Sequence, residues 1–182
     1  MIWFDAHADM NLPATSPSGN VHGMPLAAIL GLGASDLTSI GGDGPKVDAR
    51  NVCVIGARSI DSGEKEVIAA SGITVYSMKE IDSLGMAEVT GRALEKALDG
   101  TSGLHLSFDI DGLDPEVAPG VGTPVRGGVT FREAHLLMEL IADTGKLLAM
   151  DVVELNPVRD IRNSTAEAVV HLVQSGFGRS IL

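Results

Sequence analysis

The sequence predicts an α/β fold, an open parallel sheet in three layers with helices on both faces. Three observations carry this expectation. Short apolar, β-rich runs recur along the chain; amphipathic segments with helix punctuation separate most of them; and two long Gly, Pro and Ser segments each follow a strand candidate. Strands alternating with helices imply parallel pairing buried on both faces. Right-handed crossovers then gather the strand C-termini, and any site, along one edge.

The elements follow in order. MIWF opens the chain as a strand and leads into the first long loop, residues 11 to 25. NVCVIGA is the second strand. Asp61 or Ser62 then caps a helix through EKEVIAAS that stops at Gly72. GITVY is the third strand, and LGMAEVTGRALEKALDG reads as a helix weakened by Gly91. GLHLSF is the fourth strand, followed by the second long loop, residues 112 to 128. Thr130 with Glu133 forms a capping box for a helix that ends at Gly145, and Ser164 with Glu167 and Gly176 repeats the pattern. Between these two helices lies the fifth strand, KLLAMDVV. No internal repeat, low-complexity tract or linker divides residues 1–182, which are expected to form one domain.

Composition narrows the function. A chain of 182 residues with 45% hydrophobic content can build a real core. A net charge of −11 without clustered Lys or Arg argues against a nucleic-acid partner and suits cations instead. No apolar run approaches the roughly 20 residues of a membrane span, and Asp5 and His7 interrupt the N-terminus before a signal-peptide core can form. Cys53 is the only cysteine; its apolar neighbours mark it as a buried structural thiol, and a reducing cytoplasm is the expected setting.

Two acidic clusters carry the chemistry. The first strand runs into Asp5, His7 and Asp9, whose alternate side chains would share a direction if the extended backbone continued. The fourth runs into Asp109 and Asp111, with Asp114 further on. Either cluster alone is compatible with Asx turns and capping. Together, carboxylates at the ends of buried strands repel one another and call for a compensating cation. Four aspartates with one imidazole make a mainly hard donor set, suited to Mn²⁺ or Mg²⁺, and two divalent ions would balance the four carboxylates.

DAHADMN, SPSGNVHG, SFDIDGLDP and MDVVELNP, in that order, resemble the signature segments of the arginase family, within the ureohydrolase superfamily of arginases, agmatinases and formiminoglutamases. The resemblance covers nearly the whole chain and implies an arginase-like sheet, two Mn²⁺ ions, and hydrolysis of L-arginine to L-ornithine and urea. By similarity, Asp5 and Asp109 would each bridge the metals, Asp9 would complete one ion's set, and His7 with Asp111 would bind the other. His22 resembles the family's proton-transfer histidine, and Glu154 the carboxylate near the substrate guanidinium. Ser18 and Asn20 match contacts to the α-carboxylate, Asp61 one near the α-amino group, and Thr123 one near the reacting end. The resemblance also implies a homo-oligomer, trimer or hexamer. His105, His135 and His171 lack such context and are read as packing or solvent-facing residues.

The sequence departs from the family at its start. Arginases carry a further histidine ligand in an upstream Gly-Gly-Asp-His segment, whereas this chain begins four residues before Asp5. The expectation is therefore a fold lacking the family's first strands, with one ligand missing and an unpaired sheet edge exposed. Two other readings stay open: a ureohydrolase acting on agmatine or another guanidino compound, and a non-catalytic metal-binding or oligomer-interaction fragment of the family.

Overall fold

A computed structural model describes residues 1–179; the last three residues of the expected 1–182 unit lie outside the described residues. The strands are β1 (Ile2–Phe4), β2 (Cys53–Ala57), β3 (Thr74–Ser77), β4 (Leu104–Asp109) and β5 (Leu147–Val153). They form one parallel sheet in the order β3-β2-β1-β4-β5. The first strand in the chain is thus the central one, buried throughout, as is β2. This is why both read as unbroken apolar runs.

Among the described residues seven α-helices accompany the strands: α1 (Pro25–Ile29), α2 (Ser35–Thr38), α3 (Ser62–Ser71), α4 (Met78–Leu84), α5 (Met86–Leu98), α6 (Phe131–Asp143) and α7 (Ser164–Gly176), the last following β5. Alternation along each strand divides the core in two. Ile2, Phe4, Cys53, Ile55, Leu106 and Phe108 pack with α4 to α7. Trp3 and Val54 pack instead with Leu26 and Ala27 of α1 and Val67 and Ile68 of α3. The three layers are therefore present. No described helix is long and apolar enough to cross a membrane.

Local signals held where they were self-contained. Thr130 accepts the Glu133 amide, Glu133 reaches back to the Thr130 amide, and Gly145 takes a left-handed φ of +60° past the end of α6. Asp61, rather than Ser62, is the N-cap of α3. The segment before α5 holds a further helix, α4, and the two are broken at Gly85, φ +82°.

The Ser164 box is a correction. Ser164 is the first residue of α7, and its hydroxyl donates toward Asp160 instead of receiving the Glu167 amide. Asn163 adopts φ +60°, turning the chain so that the Asp160 carboxylate accepts from Thr165 and Ala166. Gly176 is the last helical residue and not the stop; the left-handed position is Gly178, φ +92°.

Cover is uneven at the two sheet edges. β5 is an edge strand paired, among the described residues, only with β4, and Leu148, Val152 and Val153 are exposed on it. β3, at the other edge, pairs only with β2 among the described residues.

Candidate metal centre and its adjoining cavity

The pairing of β1 with β4 builds the site. Phe4 stands opposite Phe108, and their rings stack with centroids 4.6 Å apart. The next residue of each strand is an aspartate, so Asp5 and Asp109 emerge side by side above an aromatic floor. Gly112 completes that floor: a Cβ there would lie 2.5 Å from Phe4 Cε1, so only glycine lets the 110–112 turn approach.

Beyond Phe4 the backbone does not stay extended, which corrects the expected alternation through Asp9. The Asp5 carboxylate accepts the His7 amide at 2.7 Å and folds the chain into a bend. Asp109 accepts the Asp111 amide at 2.8 Å in the same manner. Both clusters are thus Asx turns as well as ligand candidates; one oxygen of each aspartate shapes the backbone, and the second oxygen of Asp5 accepts from Trp3 Nε1. Asp9 follows at φ +51°, a left-handed conformation that aspartate tolerates better than most residues.

These turns bring Asp5, His7 and Asp111 together, with one donor atom from each lying within 4.8 Å of the others. His7 Nδ1 is 3.3 Å from Asp5 Oδ1 and 3.2 Å from Asp111 Oδ2. Asp5 also accepts from Trp3 Nε1, and Asp111 from the Ala6 amide and the Thr123 hydroxyl. Asp9 and Asp109 lie outside this tight trio, yet the Asp5 charge is felt at both.

Charge crowding governs their titration. Burial, then the Asp5 charge, pushes Asp9 up to about 9, and the same causes push Asp109 up to about 10. Burial also raises Asp5, to about 6. Asp111 goes the other way: burial opposes its ionisation, but the hydrogen bond and charge of His7 outweigh it and hold the carboxyl at about 2. His7, hydrogen-bonded to Asp111 and Asp5, is raised to about 11. One imidazolium cannot neutralise four carboxylates, so protons remain on some of them. Two carboxylate oxygens and an imidazole nitrogen converging from separate strand ends form a set that fits a divalent cation, which would displace those protons.

A cavity of about 110 Å³ adjoins the trio, lined by His7, Asp9, Asn11, Ser18, His22, Asp61 and others. It therefore brings four residues singled out from the sequence, Asp9, Ser18, His22 and Asp61, around His7. Ser18 accepts the Asn20 amide; Asn20 is exposed and is not part of the lining. His22 sits exposed in a short 3₁₀ turn, Val21–Gly23. Glu154 follows β5 at φ +67°, its carboxylate against Gly122, where a Cβ would stand 2.8 Å from Oε2. Thr123, next along that loop, turns its hydroxyl to Asp111. Outside the site, His105 pairs with Asp151, His135 contacts Ser175 and Glu139, and His171 is exposed.

Sequence reasoning missed Glu64, Asn11 and Arg58. Glu64 is buried, accepts the Met10 and Asp61 amides, and lines the cavity. Asn11 donates to Asp61. The only local signal for Glu64 was its place three residues after Asp61, which reads as ordinary capping; its burial comes from the 5–11 segment folding over it.

A family model described as "Arginase family" matches residues 1–178. An arginase of Brevibacillus brevis is 53% identical over 182 residues, a match covering 100% of this chain and 61% of that protein. The arginase structure from Bacillus caldovelox superposes with a TM-score of 0.97 at 51% identity, covering 100% of this chain and 60% of that one. Formimidoylglutamase from Bacillus subtilis, 23% identical with a TM-score of 0.82, covers 97% and 51%, and speaks for the fold alone. The chain thus spans about three-fifths of the length of the relatives it matches.

Proposed function

The chain belongs to the arginase family, and from that premise we propose that it hydrolyses the guanidinium group of L-arginine, giving L-ornithine and urea, with two manganese ions as cofactor. The observation that carries this reading is the convergence of Asp5, His7 and Asp111 beside a cavity lined by Asp9, Ser18, His22 and Asp61.

Asp5, His7, Asp9, Asp109 and Asp111 would hold the metal. When bound, divalent manganese acidifies water near neutral pH and offsets the charge that develops during attack. The protein's own residues do the rest. Ser18 and Asn20 take the substrate carboxylate and Asp61 its α-ammonium, while the Glu154 carboxylate faces the planar guanidinium fork. Water oxygen bonds to the guanidinium carbon and sheds its protons, the bond from that carbon to the chain nitrogen breaks, and His22 relays one of those protons to the nitrogen, which leaves as an amine while the other is lost to solvent. By family resemblance the assembly is a homo-oligomer.

Urea release across a Mn²⁺ titration, with arginine and agmatine in parallel, tests this. Arginine should be strongly preferred, because agmatine has no carboxylate for Ser18 and Asn20. Equal turnover of the two would overturn the substrate assignment and favour a broader guanidino specificity. Asn20 lies exposed outside the cavity lining, which favours a second reading, metal binding without turnover. Stoichiometric Mn²⁺ uptake with no urea would select it.

A further inference from the structure

Arg58 is held by main-chain carbonyls alone. Its Nη1 donates to Gly56 O at 3.2 Å and Gly112 O at 3.0 Å. Nη2 donates to Asp111 O at 2.8 Å, Leu113 O at 3.1 Å and Val125 O at 2.8 Å, and Nε to Val125 O at 3.2 Å. No described carboxylate forms an ion pair with it. Its own amide donates to Ala6 O at 2.8 Å, between Asp5 and His7. One half-buried guanidinium therefore ties the end of β2 to the turn after β4 and to the loop beyond.

Both backbone polar groups of Asp111 are engaged. Its N–H goes to Asp109 and its C=O to Arg58. The carboxylate oxygens are fixed in turn by Ala6 N and Thr123 Oγ1, and Thr123 lies two residues before Val125, the most heavily used acceptor. Gly128 permits the approach, since a Cβ there would stand 2.5 Å from Nη2. A planar fork of five donors can serve carbonyls from three segments at once, whereas an ammonium presents three donors from one point.

We propose that Arg58 is a positioning residue for the metal centre, setting the backbone of Asp111 and the Thr123 loop so that Asp5, His7 and Asp111 stay within one cation's reach. The inference rests on the metal-binding reading above and adds to it a residue that touches neither metal nor substrate. Partners that orient ligands in this way typically influence metal affinity by about 10- to 100-fold.

The test compares Mn²⁺ affinity, read from the electron paramagnetic resonance of the free ion, in the unaltered chain, Arg58→Lys, Arg58→Met and Asp114→Asn, with metal-free melting curves for each. Asp114 accepts the Gly127 and Gly128 amides and closes the same loop without engaging the Asp111 backbone, so it reports loosening of that loop with the bond from Arg58 to Asp111 left in place. Expected are weakenings of about 10-fold for Arg58→Lys and about 100-fold for Arg58→Met, with Asp114→Asn destabilised yet binding Mn²⁺ as the unaltered chain does. Unchanged affinity in both Arg58 variants would overturn the proposal. So would an equal loss in Asp114→Asn, or an Arg58→Lys chain unable to fold, because Arg58 would then be a general staple. Failure of the unaltered chain to bind Mn²⁺ would instead remove the metal-binding reading itself.

Discussion

Thr123 donates its hydroxyl to Asp111 Oδ2 at 2.7 Å. A side chain matched by resemblance to the reacting end of a substrate therefore also holds a metal-ligand candidate. Thr123→Val should weaken Mn²⁺ binding by about 10-fold, whereas Thr123→Ser keeps the hydroxyl and should retain affinity. A Val variant that raised KM while binding metal normally would return Thr123 to direct substrate contact.

Asp109 and His22 should fail differently. Asp109 is buried at the end of β4 beside Asp5, so Asp109→Asn should lower manganese content per chain and, with it, urea release. His22 lies exposed on the cavity rim; His22→Asn should leave manganese content intact and reduce turnover by about 10²- to 10⁴-fold, the usual range for general acid–base catalysis. Normal metal content in Asp109→Asn would remove Asp109 from the ligand set.

The metal-free chain should lose stability as pH rises from about 4 to about 9. Asp5, Asp9 and Asp109 have folded values raised to about 6, 9 and 10, so the unfolded chain gives up their protons first and each step of rising pH favours unfolding. His7, raised to about 11, acts in the same direction above its ordinary value near 6.5: the stability from its charged form is lost as pH climbs. Asp111, lowered to about 2, contributes oppositely, and only below about pH 4. Melting curves at pH 5 and pH 8 check this, and saturating Mn²⁺ should reverse the trend. A metal-free chain more stable at pH 8 would contradict the crowded-carboxylate picture.

The open side of β5 should make the 182-residue chain self-associate. Leu148 is 73% exposed there, and one edge of the strand has no backbone partner among the described residues. Such edges template further pairing unless charges block them. Sedimentation velocity across a concentration series should show association that Leu148→Lys diminishes; an unchanged profile in that variant would place the contact elsewhere.

The sequence by itself determined what depends on near neighbours. Strand-length apolar runs separated by helix punctuation specified the layered sheet, because side-chain period is a local property of the backbone. Thr130 and Glu133, three residues apart, specified their own cap. The acidic clusters were legible because each ligand type sits at the end of an apolar strand. Tertiary structure decided what depends on distant segments. That β1 lies between β2 and β4, bringing Asp5 within reach of Asp111, follows from burial competition over the whole sheet. Asp160 displaced Ser164 as the cap of α7 because a left-handed Asn163 redirected the chain, and Glu64 was buried by a segment more than fifty residues earlier. Arg58 left no local trace: its partners are backbone carbonyls, which every residue possesses, so only their convergence in space distinguishes it.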